Sequence, residues 1–571
     1  MALCRPTCFL RPRQATLPSI YANAFSGRRP FANKSSLLRL SRPPDRPQLP
    51  FLYSRAIPKT GYTPTSRYIT TEAKGRWKQR IKNALKIGVG FWTAVFLIEW
   101  LKVGISHTKI ENEYPTPHDW SFWSRWKLRK AHWIANGYEG EGVRVYIDWG
   151  DAGKEFKDLL ERLENESQDG QNILKGETLV AGVGRTGFDV SMKSIPWRRG
   201  YFQALMGAAN AAEHLEDMVR KKGGNDDMLY PRESIPGPSN PRPKPMRPDR
   251  YGRRKSVPNE DEVENAFAQP EVYYMKIMTT IGFSSSQKID AALAYAEWCD
   301  FKGLHDTARN MYDWALDIGT AALPESAGQV VNNKTGAINA GKDEFVTSNL
   351  FRVTTALGVH QAQIGNSRDA LAVFLSILRA RKTLPAAPQE PKVQKTIGPE
   401  KHPVWTWIEI LKNYLLDKPY PRISSDGDER PFHTLKEACE EVGLMTYIGE
   451  ILFASGDKEK IKGLSWTRDS VEAAEAVLWV MDEQGKKNGR ERCKECLETG
   501  LKNWQDMTVQ MSRLSRRRKE EAEQYQGILG TGLGRGATIK RAENEVLRWQ
   551  EEEHQIDLRR QKTLPLLRVQ A

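Results

Sequence analysis

The sequence predicts an all-α chain, an array of antiparallel helical hairpins that follows one N-terminal transmembrane helix. Three observations carry this. The run Ile87 to Ile105 is apolar enough, and nearly long enough, to span a bilayer. Beyond it, apolar residues recur at helical period. Two later stretches repeat one pattern of small and large residues at the same internal spacing.

A helix crossing the hydrocarbon core needs about 20 mostly apolar residues. Residues 87–105, IGVGFWTAVFLIEWLKVGI, approach that length with Glu99 and Lys102 as their only charges. Both charges fall near the end of the run. There Lys102 reaches toward the headgroups and Glu99, three residues earlier on the same face, pairs with it. Phe91, Trp92, Val95, Phe96 and Ile98 leave no polar face, whereas a surface-lying helix needs one. The alternatives are a buried or interfacial helix, or Glu99 as a partner contact inside the membrane.

Residues 1–68 read as a mitochondrial transit peptide. They are rich in Arg, Ser and Pro and contain short amphipathic pieces such as Phe31 to Leu40, without the compact apolar core of a secretory signal. Arg67-Tyr68 before Ile69-Thr70-Thr71 sets the expected cleavage near residue 68. A disordered cytosolic tail is the alternative. Residues 69–86 form a short basic segment with Lys74, Arg76, Lys78, Arg80, Lys82 and Lys86, while Glu111 and Glu113 follow the span. If positive flanks stay on the inner side, the N-terminus faces the matrix and the bulk of the chain faces the intermembrane space. The expected location is therefore the mitochondrial inner membrane.

Charge and cysteine content exclude several classes. Residues 1–70 carry twelve Lys or Arg against Asp45 alone, so they account for +11 of the net +15 and leave +4 for the remaining 501 residues. A nucleic-acid surface is therefore not expected. The six cysteines, Cys4, Cys8, Cys299, Cys439, Cys493 and Cys496, are too scattered for a disulfide scaffold. Cys493 and Cys496 form a lone CxxC without the further ligands zinc requires. Whether they form a redox pair stays open.

After the span, Glu113-Tyr114-Pro115-Thr116-Pro117 makes a rigid exit. The aromatic cluster Trp120 to Trp126 is suited to a headgroup belt or to capping the first helix of the domain. Residues 106–222 are read as the N-terminal helical part of the array, with helical patterning in Asp151 to Leu163 and Tyr201 to Val219. Between these, Gly182 to Gly187 forms a GxGxxG without the strand, helix and downstream acid of a dinucleotide site, so it reads as a glycine loop. Residues 223–260 are too rich in Pro, Arg and Gly to bury a core and read as a disordered insertion.

Residues 261–384 hold two TPR-like repeats. In Ala292 to Thr320, Tyr295, Ala296 and Cys299 line the first helix, Gly303 makes the turn, Ala308, Tyr312 and Ala315 line the second helix, and Pro324 ends the unit. In Thr354 to Lys382, Leu357, Gly358, Gln361, Gly365, Ala370, Phe374 and Ile377 take the equivalent places. Small residues let the antiparallel helices approach, and large ones fill the groove to the next unit. Residues 385–432 are a Pro-rich connection. Residues 433–511 hold a degenerate third repeat, interrupted over Asp457 to Thr467, and a capping helix from Arg490. Residues 512–571 form a charged, solvated helical extension. The fold class is thus a TPR-like helical solenoid following one N-terminal transmembrane helix, with an irregular helical bundle as the alternative. Groove candidates on its exposed first-helix faces are Trp298, Asn349, Arg352, His360 and Gln363.

This order of features resembles the repeat-containing adaptor subunit of the mitochondrial inner-membrane i-AAA protease complex and its fungal relatives, over residues 87 to about 510. The resemblance implies an adaptor that binds unfolded or membrane substrates and passes them to the protease. Its partners are then i-AAA protease subunits, unfolded substrate proteins and the inner membrane. It brings no catalytic residues, and the chain contains no HExxH, GxSxG or P-loop, so no enzyme, metal site or cofactor is expected. The rival of the same fold is a scaffold or assembly factor for a respiratory-chain or translocase complex.

Overall fold

A computed structural model of the chain describes residues 71–137, 139–140, 143–144, 147–180, 184–223, 228–246, 256–388, 420–421, 426–485, 489–524 and 535–567. The transit-peptide segment and its cleavage site lie outside these residues. Helix α1 (Thr71–Glu113) carries the basic segment and the apolar run as one helix of 43 residues. Its stretch Lys74–Trp100 is, among the described residues, the one helix long and apolar enough by length and composition to cross a membrane. Phe91, Trp92, Phe96 and Trp100 stand exposed on it, and Lys102 Nζ lies 2.8 Å from Glu99 Oε1. Residues of α1 up to Gly104 belong to one structural unit and those from Ile105 to a second, which holds every other described element.

The chain leaves α1 through a knot of short-range contacts. The Thr116 amide and hydroxyl donate to Glu111 Oε1 at 3.0 and 2.8 Å, Arg129 pairs with Glu111 at 3.1 Å, and Tyr114 stacks on His132. Helix α2 (Phe122–Ala135) follows. Trp120 is buried against Trp197, whereas Phe122 and Trp123 are exposed, so the aromatic cluster divides between core and surface.

Residues 106–222 are less purely helical than their periodicity implies. Two-residue strands β1 (Glu139–Gly140) and β2 (Val143–Arg144) precede α3 (Trp149–Leu163), whose N-cap Asp148 accepts from the Asp151 amide. The described part of the GxGxxG stretch, Gly184 to Gly187, lies in a β-strand rather than in a glycine loop. Gly184 opens β4 (Gly184–Asp189), which pairs with β3 (Leu174–Val180). β-Branched Thr178, Val180 and Thr186 suit the pleated strands. Helix α4 (Ile195–Leu215) starts before Tyr201, because Ser194 caps the Trp197 amide and Pro196 occupies the first turn. It stops before Val219, which lies in β5 (Met218–Lys221).

The expected disordered insertion is partly ordered. β6 (Leu229–Pro231) and β7 (Val263–Asn265) pair with either edge of β5, and Val219, Tyr230 and Ile235 close a small satellite core. Within residues 228–246, Asn240 donates to the Glu233 and Ile235 carbonyls. The prolines of this segment sit outside the paired strands except at the end of an edge strand, where no ladder donor is needed.

From α2 onward, each long helix packs against the next one along the chain. The succession is α2, α3, α4, α5 (Pro270–Thr279), α6 (Ser285–Phe301), α7 (His305–Ala321), the short α8 (Ala327–Val330), α9 (Ser348–Gln363) and α10 (Ser367–Lys382). It continues through α11 (Leu435–Ser455), α12 (Lys460–Gln484), α13 (Arg490–Gln524) and α14 (Arg535–Leu567). Contacts between next-but-one helices, such as α4 with α6 and α6 with α9, tie the hairpins into one stack.

The two repeats form matching hairpins. Ser284 and Gln287 cap α6 reciprocally, and Thr347 caps α9 through the Leu350 amide. Both first helices end in the same C-terminal motif. Gly303 and Gly365 take φ of 78° and 89°. The next residue's amide reaches back to Cys299 or Gln361, and the glycine amide reaches Asp300 or Ala362. Tyr295, Ala296, Ala308, Tyr312 and Ala315 are buried, as are Leu357, Gly358, Ala370 and Phe374. A Cβ at Gly358 would lie 2.8 Å from the Phe374 ring, so this approach of α9 to α10 requires glycine.

The C-terminal helices depart from the expected boundaries. α11 starts well before Tyr447, and α12 is continuous from Lys460, so the supposed interruption is the start of a helix. Gly449 and Gly463 let the two cross closely, and Gly449 O lies 2.6 Å from the position of a Gly463 Cβ. α13 continues to Gln524, through the segment assigned to a solvated extension. α14 buries Trp549, Ile556 and Leu566 in a second core shared with α11, α12 and α13. Its charged residues mark the outer face of a packed helix rather than a free tail.

The repeat surface and the Asp300 cluster

The five groove candidates do not share one open face. Gln363 is exposed, and Trp298 is half-buried, stacked on Tyr295 and covered by Lys302. Arg352 is half-buried too, bonded to Ser286 Oγ at 3.1 Å and paired with Asp290. Asn349 and His360 are buried, which corrects their expected exposure. They lie eleven residues apart, three helical turns, and so on one face of α9. That face is covered at both ends. At its N-terminal end the chain's own segment Asp426–Arg430 docks. The Asn349 side-chain amide donates to the Asp426 carbonyl and to Asp428 at 2.8 Å, and the Ser348 and Asn349 backbone amides donate to Glu429 and Gly427. These bonds satisfy donors that a helix start leaves open.

At the other end His360 faces a cluster built by the repeat turn. Asp300 sits in the last turn of α6, and the left-handed Gly303 reverses the chain so that His305, the first residue of α7, returns beside it. His305 Nδ1 lies 3.0 Å from Asp300 Oδ1, and His360 Nδ1 lies 2.9 and 2.8 Å from the two carboxylate oxygens. Tyr312 donates its hydroxyl to Asp300 Oδ2 at 3.1 Å. Burial works to raise the Asp300 pKa. The hydrogen bonds from His360, His305 and Tyr312, with the charge of His360, outweigh it and hold the carboxyl below its ordinary value. Burial, with the nearby Asp300 charge, pushes the Tyr312 hydroxyl far above its ordinary value, so it stays a donor.

The sequence reading selected His360 but missed Asp300 and His305. The available signal was positional: His360 occupies the place of Trp298 in the repeat register, two residues before Asp300, at the end where adjacent hairpins meet.

The cysteines also pair differently from the CxxC reading. Cys493 is bonded to Cys439, linking the start of α11 to the start of α13 with Cα atoms 5.1 Å apart. Cys496 remains a buried thiol, its Sγ 3.8 Å from the Cys439 carbonyl, with its pKa pushed up to about 11 by burial. Elsewhere, a polar cavity of about 400 Å3 lies among Trp120, Asp169, Lys193 and Trp197. Asp169 there accepts from the Ser121 amide and the Ser121 and Ser124 hydroxyls.

Across the described residues the architecture defines a mainly helical chain of sequentially stacked hairpins with three small β additions. No family model matches the chain, and no curated protein matches it. Among solved structures it is similar to the DHF58 filament, at 14% identity over 49% of this chain and 98% of that one, with a TM-score of 0.20. A similarity that low carries no inference about this chain.

Proposed function

We propose that this chain is a membrane-anchored adaptor of the mitochondrial inner membrane. In this reading α1 spans the bilayer, the stacked hairpins form a TPR-like solenoid in the intermembrane space, and the solenoid holds unfolded or misfolded proteins for delivery to the i-AAA protease. The observation that carries the reading is the matched pair of hairpins, α6–α7 and α9–α10. They share residue pattern, burial and left-handed glycine turn at one constant offset, within a stack preceded by an exposed apolar helix. Stacked repeats offer extended surfaces that hold peptides through many weak contacts. The buried Cys439–Cys493 disulfide suits an oxidising compartment better than the matrix.

A second reading, a scaffold or assembly factor for a respiratory-chain or translocase complex, draws on the Asp426–Arg430 segment. That segment already occupies the α9 end over Asn349 and leaves less open groove for a transient peptide. The two separate on what the tagged protein carries with it from gently solubilised mitochondria. Recovery of i-AAA protease subunits is the expected result. A respiratory complex or translocase recovered in their place overturns the adaptor reading and selects the scaffold.

A further inference from the structure

We propose that Asp300, His305 and His360 form a binding site for a divalent transition-metal ion, with Zn2+ as its natural occupant, that staples the first repeat to the second. One potential ligand atom from each residue lies within 4.8 Å of the others. Donors about 2.0–2.1 Å from a tetrahedral zinc sit about 3.3 Å apart. The nitrogen-to-carboxylate distances of 2.8–3.0 Å therefore need to open by only a few tenths of an ångström to admit the ion. Two imidazoles and one carboxylate are a ligand set that zinc uses in sites with an open fourth position.

The surroundings match such a site. His360 and Asp300 are 1% and 6% exposed while His305 is 50% exposed, so the cluster is sealed on the α9 side and open to water through His305. That opening supplies an entry path and a place for a fourth, solvent ligand. The Tyr312 hydroxyl on Asp300 Oδ2 orients the carboxylate as an outer-shell partner does. In the bound form each imidazole keeps its proton on Nε2 and offers Nδ1 to the ion, and any proton shared with Asp300 leaves to solvent. The ligands come from the end of α6, the start of α7 and the last turn of α9, so the ion crosslinks three helices of two adjacent hairpins. The site does not depend on the adaptor reading.

The test titrates the untagged full chain, in detergent micelles and stripped with a chelator, with Zn2+ alone against a chromophoric competitor. The expected result is one tight equivalent whose affinity falls at least about tenfold in His305→Ala. His305 is half exposed, so its removal leaves no buried cavity. A second variant, Asp300→Asn, keeps a hydrogen-bond acceptor at the site and loses the charge, and it weakens binding as well. Loading with Co2+ gives the visible absorption of a four-coordinate ion, and this fades in His305→Ala. No binding by the unaltered chain overturns the proposal and leaves a metal-free hydrogen-bonded cluster. Equal affinity in the chain and in His305→Ala overturns it too.

Discussion

Replacing Cys439 and Cys493 together by alanine removes the crosslink between α11 and α13. The bond closes a loop over a sequence separation of 54 residues. On the chain-entropy model a loop of that length restricts the unfolded ensemble by about 14 cal/mol/K, or about 4 kcal/mol at 25 °C. Cys496 reports the loss locally. Its thiol is buried beside Cys439 with a pKa of about 11, so it reacts only when the α11–α13 contact opens. Each 1.4 kcal/mol is a factor of ten, so 4 kcal/mol corresponds to labelling about 10^3-fold faster in the double variant. The assay is the rate of thiol labelling at Cys496 under native conditions, followed by peptide mass spectrometry. A rate within tenfold of the unaltered chain refutes the reasoning, as does labelling of Cys493 without reductant.

Two helical glycines respond oppositely to alanine. Gly358→Ala forces a Cβ against the buried Phe374 ring at 2.8 Å. Overpacking of this kind costs about 1–3 kcal/mol, more than the helix propensity gained, so the urea midpoint falls. At Gly319 the nearest atoms are 3.7 Å away, and the same change stabilises α7 by up to about 1 kcal/mol and raises the midpoint. Acid acts through His132. Although part of the residue reaches the surface, its Nε2 is sealed without a hydrogen-bond partner and its ring packs between Tyr114 and Phe156. Burial lowers its pKa from 6.5 to about 4. The unfolded chain therefore binds the extra proton first. Stability is full above pH 6.5 and declines by up to about 3 kcal/mol as pH falls toward 4. His132→Phe should flatten that part of the unfolding-midpoint profile; an unchanged slope would contradict the assignment.

What was legible in the sequence was local. The small and large positions of the repeats follow from helical period, and the two glycine turns from the only residue that takes φ near 80° without cost, so Tyr312, Phe374, Gly303 and Gly365 stand where the pattern puts them. The pairing of β5 with β6 and β7 joins segments separated by a loop rich in Pro and Arg, and composition alone does not reveal a three-residue edge strand. Asn349 and His360 look like surface residues because both are polar. Their burial is decided by Asp426–Arg430 and Asp300, which are distant in sequence and supply the hydrogen bonds that make burial tolerable. The α14 face was hidden for a related reason: Trp549 and Ile556 are spaced at helical period, but the surrounding charge suggests solvent unless α13 is known to lie alongside.

The adaptor account is tested most directly by the turnover of an unfolded, membrane-tethered reporter in the intermembrane space, measured in mitochondria with and without this chain and with an inactive i-AAA protease. The account predicts that removing the chain slows degradation of the reporter while the protease remains assembled and active on a folded-tag control, and that the inactive protease abolishes the difference. Turnover that is unaffected by removal of the chain contradicts the account.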